Sequence, residues 1–485
     1  MIYLIRYNHQ LLVLGLANDQ LTALDQACHC PATTEEEPRP MGQRLPGPLF
    51  LSPPGLFHRV EHWLREKALP YQVRDQRLGK PGDIDRPDWT LLYPLVAQKL
   101  KAVLVQNENG VILAPTGSGK SRIVATLLDY IGPTQTGVVI GGSTTETLQL
   151  YAELKKLCPY HKFGLRTGVS KTPPERVMVT TVESAAKAVD LTKIDFFIAD
   201  EAHKSGKRTG LDHLRAIGEQ CRYRFGLTAE IRRYDRHEHW LEAHLGHVLI
   251  DIPYCEAQRE GMVAPMQVWL YDTPTRQEIE CGGWNLLILE DLPYQLERTA
   301  IFNNEFFNHL VAAVVDQDIG PEEPMLICVE KVKQGEMLQA FLKKRGRHIP
   351  LLHSQLPAPV VRELRDNFRS GKIPQLIATK ILNTGFNRPD LVYVLNAIGM
   401  LRLSDTVQRS GRATRPQKKD GYTNGVVIDF CHNYHPTLQA LTQKRIQIYQ
   451  ERGWQILRKP IPETWKKRSF APLAQTPLWS PKPQG

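Results

Sequence analysis

The chain has 485 residues, 42% hydrophobic and 23% charged, which excludes a disordered or collagen-like polymer and leaves room for about three domains. Its net charge of +10 leans toward a polyanionic partner. Nine basic residues opposed only by Glu451 and Glu463 place +7 of that charge in residues 441–485, which reads as a basic, Pro-rich tail suited to a phosphate backbone or simply to solvent. The eight cysteines are scattered, as expected of a reducing, cytoplasmic compartment without a disulfide framework. Cys28-His29-Cys30 lacks a second pair at ligand spacing, which argues against zinc. The apolar start, Met1–Leu16, is broken by Arg6, Asn8, His9 and Gln10, so it predicts a strand pair and no membrane span.

Residues 1–86 predict a small α+β accessory domain. Short strand-like runs precede a Pro/Glu-rich loop at 31–48, then a helix spaced by Leu56, Val60 and Leu64, then an edge strand at Tyr71-Gln72-Val73. Residues 87–251 alternate apolar strands with helical patterns, the signature of a parallel sheet. The strands are Val111–Leu113, Val138–Ile140, Val177–Thr180, Phe196–Ala199 and Phe225–Leu227. Residues 252–300 read as a connector. A second α/β series fills 301–440, with strands at Met325–Val329, Pro350–His353, Leu376–Thr379, Val392–Leu395 and Val426–Asp429. The expected fold is therefore α/β, with two tandem RecA-like parallel-sheet lobes behind a small α+β domain.

Three segments carry chemistry. Ala114-Pro115-Thr116-Gly117-Ser118-Gly119-Lys120-Ser121 stands between a strand and a helix. Glycines there let backbone N–H groups close around phosphate at a helix N-terminus. Lys120 is expected to reach the β- and γ-phosphates of ATP, and Ser121 to bind Mg2+. Eighty residues further on, Asp200-Glu201-Ala202-His203 follows a strand, where an acid faces a phosphate loop. Asp200 is expected to hold the metal through water, and Glu201 to accept a proton from the attacking water. His203 is expected to link this site to its neighbours. The third segment, Gln408–Arg415, concentrates Arg409, Arg412 and Arg415.

These segments, with Gly226-Leu227-Thr228-Ala229 and Ala378-Thr379-Lys380 through Gly385-Phe386-Asn387-Arg388-Pro389, resemble the ordered motifs of superfamily 2 DEAH-type helicases over residues 87–430. Within that superfamily the chain looks like the UvsW-like, XPB-like DNA helicases, in its N-terminal layout, in Phe225–Arg232 and in Arg259–Pro265. The resemblance implies that Thr228 and Ala229, with His203, couple ATP state to lobe movement. It implies that Gly385 and Asn387 contact the nucleotide, that Arg412 and Arg415 face its γ-phosphate, that Gln408 belongs with them to the catalytic set, and that the domain of residues 1–86 binds DNA. The chain departs from the pattern at Glu230, at Asn387 where Asp is usual, and at Val96 where a glutamine is usual.

Nucleic-acid contacts are expected from Ser143, Thr144, Thr180, Thr181 and Thr379, gripping phosphates without reading bases. Ser and Thr after strands are also ordinary turn and cap residues. The resemblance implies a 3′→5′ DNA helicase acting on single-stranded and branched DNA. An RNA helicase, or a double-strand DNA translocase serving a restriction or defence complex, remains the alternative.

Overall fold

The computed structural model describes residues 1–30, 39–188, 190, 193–203, 221–229, 238–289, 293–379, 388, 390–399 and 425–466. The chain divides into two compact units, the first carrying Met1–Pro265 and the second opening at Met266.

The first unit begins with a five-stranded sheet in the order β5-β6-β2-β1-β7, built from β1 (Ile2–Arg6), β2 (Leu11–Leu14), β5 (Gln43–Leu45), β6 (Leu49–Ser52) and β7 (Tyr71–Asp75). A short pair, β3 (His29–Cys30) with β4 (Arg39–Pro40), lies beside it in sequence. Strand alternation buries Leu4, Leu11, Val13 and Phe50 against helices α1 (Asn18–Ala27) and α2 (Phe57–Glu66), which contribute Leu21, Leu24, Val60 and Leu64. This sheet is pinned to the lobe that follows it. Arg6 donates to both carboxylate oxygens of Glu108 at 2.9 Å, and His58 meets Glu108 at 3.1 Å. Gly55 sits so close to the Glu242 carbonyl that a Cβ would approach within 2.1 Å, so glycine is required there.

The first lobe is a seven-stranded, all-parallel sheet in the order β10-β11-β9-β12-β13-β8-β14. Its strands are β8 (Gly110–Leu113), β9 (Gly137–Gly141), β10 (Phe163–Arg166), β11 (Val177–Thr181), β12 (Phe196–Asp200), β13 (Tyr223–Thr228) and β14 (Val248–Asp251). These strands are mostly apolar and buried, as in a parallel sheet with helices on its faces. The first helices are α3 (Pro94–Leu104), α4 (Lys120–Ile131), α5 (Thr144–Leu157) and α6 (Val182–Ala188). Helix α4 is buried from Ile123 to Ile131, which fixes its axis and therefore where its N-terminus points.

The second unit is another seven-stranded parallel sheet, ordered β17-β18-β16-β19-β20-β15-β21. Its strands are β15 (Met266–Asp272), β16 (Met325–Cys328), β17 (Leu351–Leu352), β18 (Gln375–Ala378), β19 (Tyr393–Asn396), β20 (Gly425–Cys431) and β21 (Gln455–Lys459). Counted from its own first strand, each lobe follows one order, third-fourth-second-fifth-sixth-first-seventh. Two expectations change here. Met266–Asp272, read as connector, is the lobe's first strand and pairs with β20 along its whole length. Residues 441–466, read as tail, contain most of the helix Pro436–Glu451 and all of β21, the seventh strand. Arg445 of that helix is fully buried. For Trp465 and Trp479, in a Pro-rich stretch, stacking on bases and docking on the protein are equally open from sequence, and Trp465 docks, 5% exposed, with its ring centroid 5.7 Å from that of Phe306. Trp479 lies outside the described residues.

Candidate functional site

At the carboxyl end of β8 the Ala114 amide donates to the Thr228 carbonyl at 2.9 Å, which ties the start of the glycine-rich loop to β13. The loop then turns on itself, with the Ser118 hydroxyl donating to the Pro115 carbonyl at 2.7 Å. Gly117 and Gly119 have φ of +96° and +87°, left-handed values that only glycine adopts cheaply. Gly119 is the N-cap of α4, so the helix starts at Lys120 with its unpaired amides facing the loop.

The acid pair arrives from β12, two strands away in the sheet. Lys120 Nζ donates to Glu201 Oε1 at 3.0 Å, with side chains 10% and 17% exposed. The Glu201 amide donates to Asp200 Oδ1 at 3.0 Å. Glu201 has φ of +52°, an uncommon backbone for a residue with a Cβ and a usual mark of a functional turn. Burial and the neighbouring Glu201 charge push the Asp200 carboxyl up to about 7, against the pull of Lys120. Burial opposes the Lys120 charge too, but Glu201 and Asp200 more than offset it and hold its proton above the usual lysine range. Two crowded carboxylates thus share one ammonium, which is the electrostatic condition for taking up a cation. Among the described residues no three His, Cys, Asp or Glu side chains form a metal cage.

His203 Nδ1 lies 2.8 Å from the fully buried Thr228 hydroxyl and 3.5 Å from Glu201 Oε2, so the expected coupling residues His203 and Thr228 meet. Ala229 follows directly on β13.

The expected nucleic-acid residues divide. The Ser143 hydroxyl is the N-cap of α5, accepting from the Glu146 amide at 3.3 Å and donating to Glu146 Oε2 at 2.9 Å. Thr144 and Thr379 are half-buried, the latter donating its amide to the Leu352 carbonyl at 3.1 Å. Thr180 is fully buried and Thr181 is 7% exposed, so the Thr180 hydroxyl, which donates to the Thr181 carbonyl, offers no surface contact. Parallel strands covered on both faces hide even the polar residues near their ends. Gly385, Asn387, Gln408, Arg412 and Arg415 lie outside the described residues.

The sequence reading missed Glu146 and Glu153 on α5. Glu153 Oε2 accepts from the Ser121 hydroxyl at 2.5 Å, and the charge of Glu146 acts on both Lys120 and Asp200. The polar stripe Glu146, Gln149, Glu153, at three- and four-residue steps along one helix face, was the signal that could have found them.

Residues 92–233 match the family described as "Type III restriction enzyme, res subunit", and residues 305–417 match "Helicase conserved C-terminal domain". A "Putative DNA 3'-5' helicase Rad25" from Haloarcula marismortui is 23% identical over 73% of this chain and 57% of its own length. "ATP-dependent RNA helicase DBP5" from Saccharomyces cerevisiae is 31% identical over 51% of this chain and 45% of its own length. The chain therefore spans about half of these relatives. The solved structure "S. cerevisiae Dbp5 bound to RNA and ADP BeF3" superposes with a TM-score of 0.53 at 17% identity, covering 78% of this chain and 97% of that one, a likeness of fold. The two domain matches in this order, one on each lobe, support a superfamily 2 helicase. The tandem lobes are RecA-like, and the small N-terminal sheet precedes them. No helix among the described residues is long and apolar enough to cross a membrane.

Proposed function

We propose that the chain is a nucleic-acid-stimulated ATPase working as a 3′→5′ DNA helicase or translocase, and that it remodels branched DNA such as forks, junctions and R-loops in recombination and repair. The observation that carries this reading is the meeting of Lys120, Asp200 and Glu201 at the carboxyl ends of β8 and β12. The chemistry follows from that meeting. Amides of the glycine loop and the first turn of α4 bind the phosphates of ATP. The triphosphate competes for Lys120, and Glu201, released from its ion pair, orients the attacking water and takes its proton. Ser121 and, through water, Asp200 would hold Mg2+, which when bound neutralises phosphate charge. Gly385 and Asn387 are proposed nucleotide contacts. Gln408, Arg412 and Arg415 are proposed to stabilise charge on the transferring phosphoryl group. His203, Thr228 and Ala229 are proposed to relay nucleotide state, and Ser143, Thr144 and Thr379 to lie along the nucleic acid, partly through backbone amides. The domain of residues 1–86 is the proposed branch-point contact.

The names of the relatives favour two further readings. The DBP5 match keeps an RNA helicase open, and the restriction-subunit family keeps a double-strand DNA translocase open. Steady-state ATPase without nucleic acid, with single-stranded DNA, with forked DNA, with duplex DNA and with single-stranded RNA separates them, with Glu201→Gln as the inactive control. Strong stimulation by forked DNA is expected. Stimulation by RNA alone replaces the DNA reading. Stimulation by duplex alone, with triplex displacement but no strand separation, replaces unwinding by translocation.

A further inference from the structure

Ser121 is the one side chain expected to touch the metal directly, and in this structure its hydroxyl is already committed. Its Oγ donates to Glu153 Oε2 at 2.5 Å, while Gln149 Nε2 donates to Glu153 Oε1 at 2.9 Å. The Glu153 carboxylate is thus held at both oxygens, once by its own helix and once by Ser121. A hydroxyl has one proton and two acceptor lone pairs. Giving the proton to α5 leaves the lone pairs for the side away from α5. A hydroxyl oxygen that ligates a cation keeps its proton, and a carboxylate receiving that proton fixes the oxygen's orientation and raises its basicity. The same logic applies to carboxylates placed behind metal-bound histidines.

We infer that Glu153 is a positioning residue for the metal of the nucleotide site, acting through the Ser121 hydroxyl and not as a ligand itself. The inference rests on the ATPase reading given above. The fold provides the placement. At Gly141 a Cβ would lie 2.4 Å from Thr147 Oγ1 and 3.0 Å from the Thr147 amide, so only glycine lets the first turn of α5 settle onto the end of β9. Ser143 then caps the helix, and nearly three turns later Glu153 reaches Ser121 across a sequence separation of 32. Glu146, one turn into α5, adds negative charge felt by Lys120 and Asp200. Helix α5 therefore supplies the site with acids that neither the phosphate loop nor Asp200-Glu201 contains.

The test is equilibrium binding of a fluorescent ADP analogue to the full chain, titrated with Mg2+ and repeated in EDTA, for wild type, Glu153→Gln, Ser121→Ala and the double variant. Glu153 is half-exposed on a helix surface, so these variants are expected to fold. Loss of an outer-shell carboxylate is expected to raise the Mg2+ concentration for half-maximal binding about tenfold in Glu153→Gln. Affinity in EDTA should stay within about twofold, and Glu153→Gln should add almost nothing in the Ser121→Ala background, as coupled partners do. An unchanged Mg2+ requirement overturns the inference, as does an additive double variant or a loss of affinity confined to EDTA. Wild type that binds no analogue in either buffer overturns the ATPase reading and the Glu153 role with it. Mg2+-dependent wild-type binding beside an unaltered Glu153→Gln overturns the Glu153 role alone.

Discussion

The two lobes share a strand order but finish the end of the first strand in opposite ways. In lobe one, β8 runs into a glycine loop that takes left-handed backbone at Gly117 and Gly119 and ends at the N-cap of α4. In lobe two, β15 runs into Thr273-Pro274-Thr275-Arg276, which has no glycine. Thr273 donates its amide and its hydroxyl to the Cys431 carbonyl at 3.0 and 2.8 Å, and Thr275 closes a capping box with Glu278. The fifth strand repeats the contrast, since β12 ends in Asp200 and β19 in the neutral Asn396. The buried acid of lobe two, Asp429 on β20, is fully met: Arg445 donates at 2.8 Å, Tyr449 at 2.9 Å, Asn396 at 3.3 Å and the Phe430 amide at 2.9 Å. Asp200 is instead crowded by a second acid and pushed up to about 7 by burial and by Glu201. A buried charge that the protein satisfies is structural, and one left partly uncompensated is stabilised by a ligand.

That contrast can be broken by measurement. The largest expected effect is Glu201→Gln, which should lower kcat of the ATPase by roughly 10²–10⁴-fold while nucleotide binding survives, as loss of a general base does. A comparable loss from an Asp429 variant that remains folded would erase the distinction. Next, Asp429→Ala leaves Arg445 buried without its counter-ion and should cost about 3–5 kcal/mol, read from denaturant unfolding of the second lobe. Unchanged unfolding would mean that the pair is not structural.

A second satisfied acid, Glu108 held by Arg6 and His58, sharpens the rule. Burial disfavours its carboxylate, but the hydrogen bonds from His58 and Arg6, with the Arg6 charge, hold it down at about 2 against an ordinary 4.5. A depressed folded value means stability that is complete above pH 4.5 and lost as pH falls toward 2. The contribution is at most roughly 3 kcal/mol. Acid unfolding of Glu108→Gln should lack that component, and identical acid profiles would remove it. The smallest effect is Asp200→Asn. Removing a repelled, desolvated carboxylate should leave the unliganded protein as stable as wild type or about 1 kcal/mol more so, while Mg2+-dependent nucleotide binding falls. A large drop in melting temperature without ligand would place Asp200 with Asp429 among the closed pairs.

Much of the proposed nucleotide site was legible because its signals are local. A glycine turn between strand and helix, and an acid pair ending a strand, are spelled in consecutive residues. Lobe one's five predicted strands were legible for the same reason, being short apolar runs. Lobe two's first and last strands were not. Met266–Asp272 pairs with strands at Gly425–Cys431 and Gln455–Lys459, more than 150 residues away, and no local pattern announces that pairing. Gln455–Lys459 is an edge strand carrying Arg458 and Lys459, so it looked like basic tail. Arg445 looked like surface charge because its partner, Asp429, lies on another element. Thr180 and Thr181 looked available because burial is a property of the covered sheet, not of a hydroxyl.

The sequence by itself determined the glycine-rich loop, the acid pair and the α/β alternation, since each depends on backbone preference and spacing within a few residues. Only the tertiary structure decided that both lobes use one strand order, that Thr180 is sealed inside the sheet, and that Glu153 stands behind Ser121. Those facts depend on which surfaces pack together. Packing is settled by burial across the whole lobe, so no stretch of chain the length of a motif contains it.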